Sequence, residues 1–154
     1  MNRWSKKSKR LLDTCHMDIQ ILMNEVLKIQ DCTIVEGARS EERQNELYEQ
    51  GLSKVKYPNS KHNLTPDRSL SHAVDVVPYI RGAVSWDKED ILVFTGIVYA
   101  VWYKLYSTNV ITHRIRLGMN WDTHPLGRDH KLNSFFDGAH IEIVEEKSIE
   151  SSHR

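Results

Sequence analysis

Apolar residues recur at helical spacing early in the chain. Ile19, Leu22, Met23, Val26 and Ile29 form one stripe, which predicts an amphipathic helix capped by Asp13 or Thr14. Thr33, Ile34 and Val35 then make Cys32–Glu36 a short β-branched run, the pattern of a strand. Gly37, Ala38, Arg39 and Ser40 read as a turn, with Ser40 the N-cap of a second helix running to Gly51. Residues 58–68 are a polar loop. Residues 73–77 (Ala-Val-Asp-Val-Val) predict a strand ended by Pro78. Asp87 is placed to cap a long helix whose stripe holds Ile91, Phe94, Ile97, Val98, Val101 and Leu105. Arg114–Leu117 and residues 140–143 alternate as strands, and 120–136 form a long loop of the kind that often carries function. The first ten residues, five of them Lys or Arg, and the last ten read as solvated ends. Helices and strands mix without regular alternation, so the expected class is α+β.

Composition sharpens this outline. A length of 154 residues suits a single domain, with a core from about residue 12 to 144. Lys plus Arg and Asp plus Glu are 21 each, a balance that argues against a general nucleic-acid binder and against a basic membrane-surface helix. A hydrophobic content of 40% argues against disorder. The most apolar run, 91–103, is shorter than the roughly 20 residues of a bilayer span, so it reads as a buried helix. No signal-peptide pattern opens the chain, so the expected place of synthesis is the cytoplasm, with Cys15 and Cys32 reduced. No Cys-x-x-Cys pair supports a cysteine-ligated zinc.

Three places resist a purely structural explanation. Asp75 stands inside a strand, on the face of Ala73 and Val77. A buried carboxylate there pairs with an arginine, caps a turn or binds a metal. In 137–142 (Asp-Gly-Ala-His-Ile-Glu), His140 and Glu142 share one strand face, and Asp137 lies just before them. The third place is the run Ser60, Lys61, His62, Asn63. Two histidines and one carboxylate are a common catalytic zinc set, but the wide separation of His62, Asp75 and His140 does not show that they meet. His72, three residues before Asp75, would point to the opposite strand face. His16, His113, His124, His130 and His153 have no partner at a telling spacing. They are expected at the surface or in loops, with His124 and His130 the ones placed to line a cleft. Gln44 shares a helix face with Leu47, Tyr48 and Gly51, so it either supports a site or bonds buried backbone.

Together these motifs carry a family resemblance. Ser60 to Asn63, Ala73 to Tyr79 and Asp137 to Glu142 resemble the zinc peptidases of peptidoglycan stem peptides, the phage L-alanyl-D-glutamate endolysins above all and the D-alanyl-D-alanine carboxypeptidases beside them. Gly37-Ala38-Arg39-Ser40 with Gln44, Gly51, Trp86-Asp87 and Leu117-Gly118-Met119-Asn120-Trp121 agree in order. The resemblance implies a small antiparallel sheet with flanking helices and a zinc cleft on the sheet, a hedgehog/D-Ala-D-Ala peptidase-like fold. It implies Zn²⁺ held by His62, Asp75 and His140, with Asp137 as general base and Arg39 facing the substrate. Gln44 is similar to a glutamine of the same region, and Glu142 matches an acidic residue that follows the last ligand. The chain departs from the pattern in a polar insert at 67–72, expected to bulge outward, which also makes His72 a rival to His62. It departs again at Asn120, where the family often has Asp.

The implied activity is hydrolysis of an L-alanyl-D-glutamate bond by a phage or prophage endolysin. The rivals are D-alanyl-D-alanine carboxypeptidase activity and a non-catalytic wall-binding domain. A monomer is expected, made in the host cytoplasm and reaching the wall through a separate membrane-permeabilising, holin-like factor.

Overall fold

The alternating segments pair into one antiparallel sheet in a computed structural model that describes residues 1–126 and 136–145. Its strands are β1 (Cys32–Glu36), β2 (Ala73–Ile80), β3 (Ala83–Val84), β4 (Arg114–Leu117) and β5 (His140–Val144). They lie in the order β1-β2-β5-β4, and β3 pairs with β2 off that path. The helices are α1 (Lys6–Leu12), α2 (Met17–Ile29), α3 (Glu41–Glu49) and α4 (Lys88–Ser107). The architecture is the expected α+β class.

Strand alternation decides which face does what. Val74 and Val76 of β2, Ile141 and Ile143 of β5, and Ile115 and Leu117 of β4 are at most 2% exposed and meet the apolar stripes of α2 and α4 in a single core. Burying each such side chain contributes roughly 1.5–3 kcal/mol relative to leaving it in water. The register is Ala73↔Glu142 and Asp75↔His140, so the polar residues of β2 and β5 share the other face. The core fixes that register, because a one-residue slip would turn every apolar side chain outward.

Several elements differ from the sequence pattern. The basic lead-in contains helix α1, whose N-cap Ser5 accepts from Ser8 N–H, while Ser8 and Leu12 are buried. Charge spacing hid it, because only Ser8 and Leu12 are fully buried, with Leu11 partly buried beside them. Neither Asp13 nor Thr14 starts α2. Asp13 closes α1, and the Thr14 hydroxyl donates to Leu11 O and accepts from Ala38 N–H. His16 is the cap instead, its Nδ1 accepting from Asp18 N–H at 3.0 Å. Ile29, at the end of the stripe, is exposed, and so is Tyr48 on α3. Strand β2 continues through Pro78 to Ile80. β5 pairs with β2 only as far as Asp75, and Tyr79 N–H bonds across to Asp31 O, so the amide that Pro78 lacks faces a side with no β5 partner. Asp87 holds the N-cap position of α4 without a side-chain cap bond. The last ten residues, apart from Glu145, and most of the long loop, including His130, lie outside the described residues, as does His153.

Candidate metal centre

Three elements deliver three donor atoms to one spot. Asp75 comes from the middle of β2 and His140 from the first position of β5, directly opposite it. His62 comes from the loop before β2, where a short self-bonded turn fixes it. Asn63 Oδ1 accepts from Ser60 N–H, Ser60 Oγ accepts from His62 N–H, and His62 O accepts from Arg39 N–H. His62 Nε2 lies 3.1 Å from Asp75 Oδ1 and 3.2 Å from His140 Nδ1, and His140 Nδ1 lies 3.1 Å from Asp75 Oδ1. Residues separated by up to 78 positions therefore converge, which no periodicity could reveal.

The neighbours of these rings fix their tautomers. His62 Nδ1–H donates to the Gly37 carbonyl at 2.8 Å, which leaves a lone pair on Nε2. His140 Nε2–H donates to Glu142 Oε1 at 2.8 Å, which aims Nδ1 at the same spot. Two nitrogen lone pairs and a carboxylate oxygen facing one another repel unless a cation or proton sits among them. The electrostatics agree. Burial works to lower His140, but Asp75 and Glu142 outweigh it and push the imidazole up to about 10. Burial works to raise Asp75, but the imidazoles of His62 and His140 outweigh it and hold the carboxyl far below its usual range. The donors also fit zinc. Ligands about 2.1 Å from a tetrahedral ion stand roughly 3.4 Å apart, close to the spacing here. Each histidine has the outer hydrogen-bond partner that orients a metal ligand. Among the described residues this trio is one of two His/Asp groups with mutually close donor atoms.

Around the trio lies a cleft whose lining includes Asp137, Trp121, Lys61 and Arg116. Asp137 is anchored through its backbone. Its N–H donates to Gly118 O, and its carbonyl accepts from His140 N–H, both at 3.0 Å. Burial and the charge of Asp75 raise the Asp137 carboxyl above its ordinary value, against opposing pulls from His140, His62 and Arg39. Gly118 lets the strands approach, since a Cβ there would meet Asp137 O at 2.1 Å and His140 Cβ at 2.8 Å.

Arg39 and Gln44 support the trio from behind. The Arg39 guanidinium donates to both Glu36 carboxylate oxygens, at 2.9 and 2.6 Å, and to Gln44 Oε1 at 2.9 Å. It also lies 3.8 Å from Asp75 Oδ2, and its side chain is 9% exposed. Its donors are thus largely engaged in holding Asp75 and α3, rather than offered to solvent. Gln44 is fully buried and does both of the things its position allows. It receives Arg39 and donates to Ser53 Oγ and the Val55 carbonyl. Glu142 accepts from His140 and pairs with Arg116 at 3.2 Å.

The structure also settles the smaller expectations. His72 is not at this centre; its ring packs near His16 and His113. The insert at 67–72 closes on itself through the Thr65↔Arg68 bridge, and Arg68 donates to the carbonyls of Ser60 and Asn63, bracing the ligand loop. Asn120 donates to the carbonyls of His124 and Pro125, two bonds that an aspartate could not make. His124 packs edge-on against Tyr99 of α4. His16 and His113, expected to stand alone, lie together with Asp18. Sequence reasoning gave no role to Glu36, Arg116 or Trp121. The Trp121 ring lies 5.1 Å from that of His140 and carries the Arg116 guanidinium over it. Only the strand register, with Arg116↔Glu142, could have pointed to Arg116.

Comparison with known proteins shows the family and the fold. Residues 1–144 match the family described as phage L-alanyl-D-glutamate peptidase. The L-alanyl-D-glutamate peptidase of Escherichia phage T5 is 26% identical over 144 residues, covering 92% of this chain and 98% of the relative. The crystal structure of the Serratia marcescens L-Ala D-Glu endopeptidase ChiX superposes with a TM-score of 0.66 at 22% identity, over 95% of this chain and 92% of that one, and shows the same fold.

Proposed function

The chain belongs to the phage L-alanyl-D-glutamate peptidase family, and we propose that His62, Asp75 and His140 hold a zinc ion at its centre while Asp137 moves the proton during peptide hydrolysis. The enzyme is a peptidase of peptidoglycan stem peptides, and its bond is L-alanyl-D-glutamate. The observation that carries the site is the convergence of three donor atoms at 3.1–3.2 Å, with each imidazole oriented by its own acceptor. Family membership favours this bond over the terminal D-alanyl-D-alanine bond and over a wall-binding domain without catalysis.

When bound, such an ion supplies a Lewis acid that acidifies water and polarises a carbonyl. The protein does the rest. Asp137, lining the cleft beside the trio, accepts the proton of the attacking water and returns it to the leaving amine. Its raised affinity for a proton, caused by burial and Asp75, suits a group that must both take and give one near neutral pH. Glu142 keeps His140 Nε2 protonated, so that Nδ1 stays a donor to the ion. Arg39 fixes the position of Asp75, and Lys61 on the cleft wall, beside the Arg116–Glu142 pair, supplies a positive charge suited to the free carboxylates of stem peptides. As part of the same proposal the enzyme acts as a monomer, is made in the host cytoplasm, and is released to the wall by a separate membrane-permeabilising factor. Among the described residues, no helix is long and apolar enough to cross a membrane.

The test is mass spectrometry of purified peptidoglycan digested with the zinc-loaded protein. New N-terminal D-glutamate is expected. Released D-alanine would favour the carboxypeptidase, and no new termini would favour a binding domain. Asp137→Ala should keep stoichiometric zinc and lose at least about 100-fold in rate. His140→Ala should bind little zinc. Wild-type rate in the first variant, or full metal in the second, would remove the residue from its role.

A further inference from the structure

At the start of α2 a second group of donors is assembled, away from the cleft. His16, Asp18 and His113 each offer a ligating atom, and these atoms all lie within 4.8 Å of one another. The residues come from two distant stretches of chain, 95 positions apart between Asp18 and His113. Asp18 Oδ2 is held in place by Thr112 N–H at 3.0 Å and His113 N–H at 3.1 Å. It also accepts from His113 Nδ1–H at 2.7 Å. That last contact places an imidazole nitrogen and a carboxylate oxygen side by side, where a cation could take the place of the shared proton. The His16 and His113 rings meet edge-on with centroids 4.8 Å apart, close to the 5.0 Å between the imidazoles of His62 and His140. A third ring, His72, sits 5.4 Å from that of His16.

The geometry points to a second cation site at His16, Asp18 and His113, for a divalent ion of the zinc, nickel or copper class. Imidazole nitrogens with one carboxylate select these ions over calcium or magnesium, which require oxygen-rich cages. The site is built independently of the peptidase centre: its ligands come from the start of α2 and the lead-in to β4, and none of them lines the cleft. Binding would tie the start of α2 more firmly to the segment before β4, so its effect is on stability rather than on the chemical step. Ligation has a local consequence. His16 Nδ1 now accepts from Asp18 N–H, and binding through either ring nitrogen removes that acceptor, so occupancy loosens the cap bond while it ties the two segments together.

Isothermal titration of the metal-free full chain with Zn²⁺ tests this. The wild type should take two equivalents. His16→Asn keeps a side chain that caps helices and should take one equivalent, while still hydrolysing peptidoglycan at close to the wild-type rate when zinc-loaded. His113→Gln should behave the same way, and if it fails to fold, His16→Asn carries the test alone. His140→Ala should retain one equivalent and a zinc-dependent rise in Tm that is lost when His16→Asn is added. A single equivalent in the wild type, or two equivalents in either His16→Asn or folded His113→Gln, would overturn the site. Failure of the peptidase centre would appear separately, as loss of hydrolysis with the His16-dependent equivalent still present.

Discussion

Replacing Gly118 by alanine should abolish most hydrolysis while leaving the protein folded. Gly118 ends the β4 side of the cleft. Its N–H donates to His140 O at 2.8 Å, and its carbonyl accepts from Asp137 N–H at 3.0 Å. A Cβ at this position would stand 2.1 Å from Asp137 O, 2.8 Å from His140 Cβ and 3.1 Å from His140 O. Two of these three neighbours are backbone atoms, so no side-chain rotation relieves the contact. Opening it to an ordinary distance moves the 137–140 segment by roughly 1 Å, and a displacement of that size near reacting groups costs about 100-fold in rate. The displaced segment carries both Asp137 and His140, so the proposed proton-handling group and one proposed metal ligand move together. Overpacking at one such position costs about 1–3 kcal/mol of stability, which a domain of ordinary stability survives. The assay pairs the rate of appearance of new amino termini from purified peptidoglycan with thermal unfolding monitored by circular dichroism. A variant that unfolds cooperatively and retains a rate within about threefold of wild type would refute the claim that Gly118 sets the distance between the two strands at the site.

Glu142→Gln removes the charge that receives His140 Nε2–H while nearly keeping its shape, and it strips Arg116 of its partner. Zinc affinity should fall about 10- to 100-fold, measured by competition with a chromophoric chelator; unchanged affinity would show that Glu142 does not orient the ligand. The pH dependence follows from His140. Its folded value of about 10 lies above the ordinary value of 6.5, so in metal-free protein the proton it holds contributes stability below 6.5 that is lost as pH rises toward 10. A bound metal displaces that proton, so the Tm gap between zinc-loaded and metal-free protein, at fixed free zinc, should widen between pH 6.5 and pH 9. A gap that stays constant or narrows would contradict the protonation of His140 in the metal-free site.

The elements legible in the sequence are those whose burial is periodic. The α2 stripe, the β-branched run of β1 and the alternation of β4 and β5 follow from one-sided burial and appear at the expected positions. Helix α1 was hidden because it buries only Ser8 and Leu12, too few to make a stripe among its lysines. The cap of α2 was hidden because histidine is an uncommon cap and Asp13 and Thr14 look better suited to the role. At the site, Asp75 stood out as a charge inside an apolar strand, and Asp137, His140 and Glu142 as a polar strand face. Their meeting with His62 depends on the β2–β5 pairing and on the Gly37 carbonyl, neither of which is a local property of sequence. The same holds for His16, Asp18 and His113. Each looks unremarkable alone, and only the approach of the start of α2 to the segment before β4 assembles them.

Ion pairing around the cleft supports the proposal that the centre holds a divalent cation rather than a single proton. The Glu36 carboxylate is matched by Arg39 through two hydrogen bonds, and that of Glu142 by Arg116. These two pairs are locally neutral. Asp75 is left with one guanidinium at 3.8 Å, already committed to Glu36, and Asp137 faces Asp75 with no ion-paired cation among the described residues. The imidazoles of His62 and His140, when neutral, contribute lone pairs and no charge. Among the described residues two carboxylates therefore remain uncompensated where desolvation makes isolated charge most costly. A proton on His140 offsets one of them, whereas a doubly charged ion among the three donors offsets both and satisfies the converging lone pairs as well. The overall balance of 21 acidic and 21 basic residues conceals this local deficit. The chain carries no net charge toward its substrate, so in the proposed mechanism recognition falls to the cleft itself, where a divalent ion held by the trio and Lys61 on the wall would meet the carboxylates of the stem peptide.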